Sequence, residues 1–214
     1  FVIYTNGIFY LTEFKFGDEF GKLEVVRSQG FVVNEPPKQI INLSELVRTV
    51  SVASEEPQGV PYPQANDLDK VIDLVSNFEE DILNTKESIA AFFDFDERQG
   101  DYYANAAIYL GFLKRDDDGG NTFELTLLGE TLRRYNNRNQ RNLLLLKQIL
   151  AKPTFNALIH DLIRLDCNFD RLSIVHIADV IEANTTLSGD TLRRRASTVK
   201  RWLQWICDNV EFKI

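Results

Sequence analysis

Apolar positions follow a strand-like pattern in the first quarter of the chain. Aromatic and β-branched residues dominate residues 1–4 and 8–16, and the pair Asn6-Gly7 between them is typical of a type I′ hairpin turn. Shorter apolar runs at 23–26 and 31–33 predict two more strands, and 42–47 predicts a short helix. Residues 1–50 are therefore predicted to form a small β-rich segment.

Residues 51–66 have no helical or strand period and contain three prolines. Such a composition is typical of an extended connection. The pattern predicts a linker here, with a domain boundary on either side of it.

A helical period begins at residue 67. It predicts a first helix around 68–75, a second that begins after Thr85 as its N-cap, and a third over 96–112. Residues 113–126 then predict two strands around a Gly-rich turn, and 127–135 predicts a further helix. Three helices followed by a hairpin are the plan of a winged helix, so 67–136 is predicted to be a first winged-helix module.

The rest of the chain repeats this plan loosely. Helices are predicted over 142–150, 154–165, 172–183 and 190–208, and a strand over 210–214. Residues 137–214 are predicted as a second winged-helix-like module. The fold class expected for the whole chain is mainly α with β-hairpins (α+β), as tandem winged-helix modules after a small β-rich segment.

Charge is distributed unevenly along the 214 residues, whose formal net charge is −8. The segment 67–136 carries 7 basic and 16 acidic residues, whereas 137–214 carries 12 basic and 8 acidic residues. Contact with nucleic acid is therefore expected through the C-terminal part. For the acidic first module, contact with a protein partner or with a second copy of the chain is the alternative to contact with DNA.

Few residues are of the types that support catalysis or metal binding. Cys167 and Cys207 are too few for a zinc site, and His160 and His176 lie among apolar residues, so we interpret all four as packing residues. Glu13 and Lys15 match the E-x-K of metal-dependent nucleases, but no acidic residue precedes Glu13. We predict no catalytic, metal or cofactor site in this chain, no membrane span and a cytoplasmic location.

The predicted helix 190–208 offers the best candidate for DNA contact. Its apolar residues recur at spacings of four and three, which predicts one buried stripe flanked by two tryptophans. The opposite face carries cations and small polar groups that suit phosphates and base edges. These candidates are Arg193, Arg194, Ser197, Lys200, Arg201 and Gln204. A solvated helix face is the alternative interpretation.

The predicted helix 96–112 is the equivalent element of the first module. Arg98, Tyr102, Asn105 and Tyr109 are expected on one exposed face, and we take the first three as further DNA-contact candidates. Carboxylates surround this helix, which suits its N-terminus but repels phosphate.

Two stretches of the chain resemble a known winged-helix domain. Residues 98–112 and 123–130 read RQGDYYANAAIYLGF and FELTLLGE, and residues 191–206 read TLRRRASTVKRWLQWI. The first two ranges together, and the third by itself, are similar to motifs of the winged-helix domain at the C-terminus of type II restriction endonucleases and related prokaryotic defence proteins. The resemblance implies a double-stranded DNA partner.

Residues 1–8, FVIYTNGI, resemble a strand and turn near the end of the nuclease domain of type I restriction R subunits. In that family the catalytic carboxylates lie upstream of this strand, so a Mg²⁺-dependent nuclease core is expected before Phe1 and not in this chain. The hypothesis is a DNA-recognition region of a restriction-endonuclease-like protein. The alternative is a non-enzymatic winged-helix transcriptional regulator or protein-interaction module.

Overall fold

The structure is a computed structural model that describes residues 2–5, 8–16, 23–31, 38–116 and 121–213. For the strands before residue 38 and for residues 212–213 only the backbone is described. The chain forms two compact units, residues 1–37 and 38–214.

The first unit is a three-stranded antiparallel sheet. Its strands are β1 (Val2–Thr5), β2 (Ile8–Phe16) and β3 (Leu23–Phe31), in the spatial order β1-β2-β3. Thr5 pairs with Ile8, so β1 and β2 form a hairpin as predicted. The predicted turn residues, Asn6 and Gly7, lie outside the described residues. The third strand is continuous where the sequence pattern predicted two short ones.

The second unit begins with one strand and is then mostly helical. Its elements are β4 (Gln39–Asn42), α1 (Leu43–Thr49), α2 (Leu68–Ser76), α3 (Lys86–Phe93), α4 (Glu97–Tyr109), β5 (Leu113–Arg115), β6 (Phe123–Leu125), α5 (Leu127–Arg134), α6 (Arg138–Leu150), α7 (Pro153–Arg164), a 3-10 turn (Phe169–Arg171), α8 (Ile174–Asn184), α9 (Gly189–Asn209) and β7 (Val210–Lys213). The mainly helical α+β class is as predicted. No helix within the described ranges is long and apolar enough to cross a membrane.

Side-chain caps define where several of these helices begin. Thr85 precedes α3 and forms a capping box with Ser88, in which each side chain accepts from the other residue's backbone N–H. Asp96 and Thr126 cap α4 and α5 in the same position. Pro153 occupies the first turn of α7, as expected from its missing N–H.

The hairpin of β5 and β6 is confirmed, and it joins the helices of its module. Leu113 pairs with Leu125 and Arg115 with Phe123, while the turn at 117–120 lies outside the described residues. Thr85 forms an isolated antiparallel bridge to Thr122. Backbone pairing of Thr85 with Thr122 therefore connects the start of α3 to the hairpin.

Strand β7 does not pair with a neighbour in sequence. It runs parallel to β4, with Gln39 opposite Val210. The described part of 137–213 contains no hairpin, so the second predicted module differs from the first in this respect. The pairing joins the two ends of the second compact unit.

The segment 51–66 packs into the unit, although its sequence predicts a linker. The backbone N–H of Ala53 donates to the carbonyl of Ala151, and Glu56, Tyr62 and Ala65 are buried. The boundary between compact units lies at residues 37/38 instead. Prolines exclude a helix here, but an extended chain can still fill a groove between helices.

One apolar core runs through the second unit. It contains residues from Ile41 to Val210 and includes both predicted modules. Aromatic rings of Tyr109, Phe155 and Trp202 meet at its centre, with Phe155 stacked on Trp202 at 5.4 Å between centroids. The helices that carry the predicted DNA contacts are thus held by a shared core.

Candidate nucleic-acid interface

Helix α9 is anchored by the apolar stripe that the sequence predicts. The stripe residues are all buried: Leu192, Ala196, Val199, Leu203 and Ile206. Trp202 is fully buried and its indole N–H donates to the carbonyl of Ala65 at 2.8 Å. The indole of Trp205 donates to the Asp69 carboxylate at 2.9 Å. Both tryptophans therefore bury apolar surface, and their hydrogen bonds also fix the orientation of the helix.

The opposite face of α9 is exposed along most of its length. Five of its six predicted contact residues are exposed: Arg193, Arg194, Ser197, Arg201 and Gln204. The sixth, Lys200, is partly buried, with its ammonium 5.7 Å from the centroid of the Phe169 ring. The face therefore presents mainly guanidinium and small polar groups to solvent.

Two arginines on this face have no counter-charge among the described residues. Arg193 lies 3.8 Å from Asp190, and the Gln204 amide donates to Asp208. Arg194 and Arg201 form no ion pair with any described residue. They are one heptad apart, so both project from the same side of the helix. These two cations are available for an anionic partner.

The candidates on α4 are divided between two environments. Arg98 is exposed and its guanidinium lies 5.5 Å from the centroid of the Tyr102 ring. Asn105, in contrast, is only 3% exposed, and its side-chain oxygen accepts from Arg115 at 3.0 Å. Tyr109 is also buried, against the predicted exposed face. Asn105 therefore supports the hairpin and is not placed to contact DNA directly.

The carboxylates around α4 have partners within the protein. Asp96 accepts from the backbone N–H and side-chain amide of Gln99, and these hydrogen bonds lower the pKa of Asp96. Glu97 pairs with Lys86 at 2.6 Å, and Asp101 approaches Arg115 at 3.5 Å. Part of the negative charge predicted at this end of α4 is thus already balanced.

The structure brings α4 and α9 together, which the sequence does not predict. The rings of Tyr109 and Trp202 are 6.2 Å apart, so the C-terminal end of α4 lies against the second half of α9. The hydroxyl of Thr198 donates to Asn66 at 2.9 Å, so residues near 66 lie alongside both helices.

A small cleft lies between α4 and residues 64–66. Its volume is about 360 Å³, and its lining comes from the end of the 51–66 segment and the first half of α4. The lining residues are Gln64, Ala65, Asn66, Asp96, Arg98, Gln99, Tyr102 and Tyr103. Amides, one guanidinium and phenol rings converge here, which is a suitable set for polar ligands.

A buried polar centre joins the two predicted modules. One carboxylate oxygen of Glu56 accepts from the Tyr109 hydroxyl at 2.6 Å, and the other accepts from the backbone N–H of Thr154 at 2.9 Å. Thr154 lies in the first turn of α7, where a helix favours negative charge. Burial raises the pKa of Tyr109 well above its ordinary value, so this phenol remains a donor at neutral pH. The three segments involved are distant in sequence, so sequence periodicity does not predict this centre.

Basic residues near the start of α6 were also missed. The stretch 131–160 contains six basic residues and no acidic one. Arg138 donates to the side chain of Asn209 at 2.6 Å, so the start of α6 lies beside the end of α9. The sequence signal was the absence of acidic residues over thirty positions.

The residue types of metal and redox sites are scattered. No group of three or more His, Cys, Asp or Glu side chains that could hold a metal occurs in the ranges that the structure describes. His176 contacts Asp161 at 2.8 Å on the surface, and His160 is exposed. Both cysteines are partly buried free thiols. That the chain has no cofactor site stays a prediction.

Comparison with known proteins places most of the second unit in one family. The comparisons with curated proteins and with solved structures gave no significant match. Residues 70–211, more than half of the chain, match the family described as "Domain of unknown function (DUF7226)". The match begins within α2 and ends within β7, so it includes both α4 and α9. The chain belongs to the DUF7226 family.

Proposed function

We propose that this chain is the DNA-recognition region of a restriction-endonuclease-like protein, and that α9 contacts duplex DNA. The single observation that carries the proposal is the exposed face of α9, where Arg194 and Arg201 have no carboxylate partner among the described residues. Cations without counter-charges on a rigid helix suit the phosphate backbone. The proposal assigns recognition, and not cleavage, to these 214 residues.

The proposal treats residues 67–136 as a winged helix. Its support is the order α2, a strand-like bridge at Thr85, α3, α4 and then the hairpin of β5 and β6. The second module is proposed as a variant whose last strand pairs with β4. In helix-turn-helix proteins one helix of such a module enters the major groove, whose width of about 12 Å admits it.

The exposed side chains of α9 are proposed to have two different roles in DNA contact. Arg194 and Arg201 are separated by about 10 Å along the helix axis, since each residue advances about 1.5 Å. They are proposed to hold phosphates, which position the protein without reading sequence. Ser197 and Gln204 lie on the same exposed face and are proposed to approach base edges.

The test is duplex binding by the double variant Arg194→Ala, Arg201→Ala, measured by fluorescence anisotropy. We expect binding to weaken at least about tenfold on every sequence, since each charge-assisted contact is worth roughly 1.5–3 kcal/mol. The matched control is Arg48→Ala, Lys147→Ala, which removes two exposed cations from α1 and α6. An equal loss in both variants would show that overall charge, and not α9, carries binding.

The second candidate function is a non-enzymatic regulator or protein-interaction module, with the acidic first module as its contact surface. It predicts that the intact protein binds no duplex at low salt and forms a dimer or a complex with another protein. Sedimentation of the wild-type chain with and without duplex separates the two functions.

A further inference from the structure

A second cleft lies between the 51–66 segment and the end of α8. Its volume is about 630 Å³, which exceeds that of the cleft beside α4, and its lining comes from residues 54–62 and 183–187. A cleft of this size can enclose most of a small organic molecule. The chemistry of its lining decides which kind of molecule fits.

The lining carries negative charge and, among its described residues, no positive charge. Glu55 is exposed and forms no ion pair within the described ranges. Glu56 is buried, and its oxygens accept hydrogen bonds from α4 and α7. Lys152, which lies over the Tyr109 ring, interacts with Glu56 but is not part of the lining. The unpaired carboxylate of Glu55 therefore favours a cation in the cleft.

The side-chain amides of the lining present acceptors. The amide nitrogen of Gln58 donates to the carbonyl of Glu56 at 3.1 Å, and that of Asn184 donates to the carbonyl of Val180 at 2.8 Å. The side-chain oxygens of Gln58 and Asn184 accept no hydrogen bond from the described residues. An ammonium group has three donors and no acceptor, so it matches this lining.

A buried hydroxyl in the same lining also has no partner. Tyr62 is 9% exposed, and its hydroxyl forms no hydrogen bond with any described residue. The hydroxyls of Thr154 and Tyr109 are close by, but neither meets the geometry of a hydrogen bond with it. Burial, together with the Glu56 carboxylate, raises the pKa of Tyr62, so its phenol stays uncharged at neutral pH. A ligand in the cleft would supply the missing partner.

We propose that this cleft binds a small organic amine, whose ammonium group is held by the carboxylate of Glu55 and by uncharged acceptors of the lining, the Tyr62 hydroxyl among them. Apolar residues of the lining cover the rest of the molecule: Pro57, Val60, Pro61 and Leu187. Charge-assisted hydrogen bonds of this kind are about twice as strong as neutral ones. The inference does not rest on DNA binding, because no residue of the exposed face of α9 lines the cleft.

The experiment titrates isotope-labelled wild-type protein with benzylamine and with benzyl alcohol, while two-dimensional NMR follows the backbone amides. Benzylamine carries an ammonium group at neutral pH, and benzyl alcohol has a similar shape without the charge. We expect saturable shifts centred on residues 54–62 and 183–187, with affinity for benzylamine about tenfold higher. Equal affinities, shifts centred elsewhere or the absence of saturation would overturn the proposal.

Glu55→Gln removes the proposed counter-charge and keeps the size of the side chain. Glu55 is exposed, so the fold and the melting temperature should be unchanged. We expect benzylamine to bind about tenfold more weakly and benzyl alcohol to bind as before. Glu182→Gln is the matched control, since it removes an exposed carboxylate of α8 outside the lining, and it should change affinity by less than about twofold. Equal losses in both variants would assign the effect to net charge and overturn the proposal.

Tyr62→Phe tests the buried hydroxyl. We expect weaker benzylamine binding, while the melting temperature of the free protein stays the same or rises, because a buried polar group without a partner is removed. A lower melting temperature together with unchanged affinity would show that the hydroxyl serves the fold, and would overturn its role in the site.

A lysine side chain of a partner protein carries the same ammonium group. N-acetyl-lysine methylamide presents that group on a short peptide backbone, and we expect it to bind no more tightly than benzylamine. Tighter binding of the peptide at the same amides would assign the cleft to a protein partner and overturn its assignment to a free amine.

Discussion

At the residue scale, Glu56 shows how a buried charge can be accommodated. Its carboxylate accepts one hydrogen bond from a phenol on α4 and one from the first turn of α7. The ammonium of Lys152 lies 5.2 Å from the centroid of the Tyr109 ring and adds positive charge nearby. Burial lowers the pKa of Lys152, and Glu56 opposes that effect. These contacts connect the helices on which the proposed interface depends.

Removing one donor should therefore have a measurable effect on stability. We expect Tyr109→Phe to lower the free energy of unfolding by about 1–3 kcal/mol, because it leaves a buried carboxylate oxygen unsatisfied. Urea denaturation measures this change. Tyr102→Phe, two turns earlier on α4, is the control and should change stability by less than about 0.5 kcal/mol. Equal effects would indicate that the Glu56 contact contributes little.

At the element scale, α3 and α4 approach each other closely at Gly100. A methyl group at this position would overlap the carbonyl oxygen of Lys86 and come within 3.1 Å of the Ala90 side chain. Both neighbours belong to α3, and the contacting oxygen is backbone. The glycine thus permits the spacing of two helices in the proposed winged helix.

We expect Gly100→Ala to destabilise the protein by roughly 1–3 kcal/mol, as overpacking usually does. Helix propensity alone predicts the opposite sign, since alanine favours a helix over glycine by about 1 kcal/mol. The free energy of unfolding of Gly100→Ala therefore decides which effect dominates. Asp179→Ala, at an exposed position of α8, controls for a general effect of alanine. A stabilised Gly100→Ala would contradict the close packing.

Periodicity in the sequence predicts burial correctly for a helix that packs against the core with a single face. The buried stripe of α9 and the cap at Thr85 follow from local spacing, and both are present. It failed on α4, where packing from several sides buries both Asn105 and Tyr109. A helix with neighbours on several sides has no single polar face for a periodicity to reveal.

Long-range contacts were the second source of failure. The parallel pairing of β4 with β7 joins residues about 170 positions apart, and nothing local predicts it. The burial of Glu56 and Ala65 depends on α7 and α9, which only the folded chain brings near.

At the scale of the whole molecule, the shared core changes the expected pattern of proteolysis. The sequence predicts that a protease first cleaves within 51–66, as in an open linker. The structure holds this segment through Ala53, Glu56 and Ala65, so we expect limited proteolysis to spare it. Mass spectrometry of early fragments measures this. Early cleavage between Glu56 and Ala65 would show that the segment is not held in solution.

The net charge of −8 does not show how positive and negative side chains are distributed over the molecule. Carboxylates near the start of α4 are balanced by Lys86 and Arg115, whereas Arg194 and Arg201 have no such partners in the described structure. An acidic protein can therefore present a local cationic surface. We propose that this surface on α9 contacts the phosphates of duplex DNA.

The salt dependence of duplex affinity tests that claim most directly. Each phosphate contact contributes about −0.9 to the slope of log affinity against log salt. The account predicts that wild-type protein binds at low salt with a negative slope, and that Arg194→Ala, Arg201→Ala reduces its magnitude by about two units. Parallel lines for the two proteins, or no binding by wild type at low salt, would contradict it.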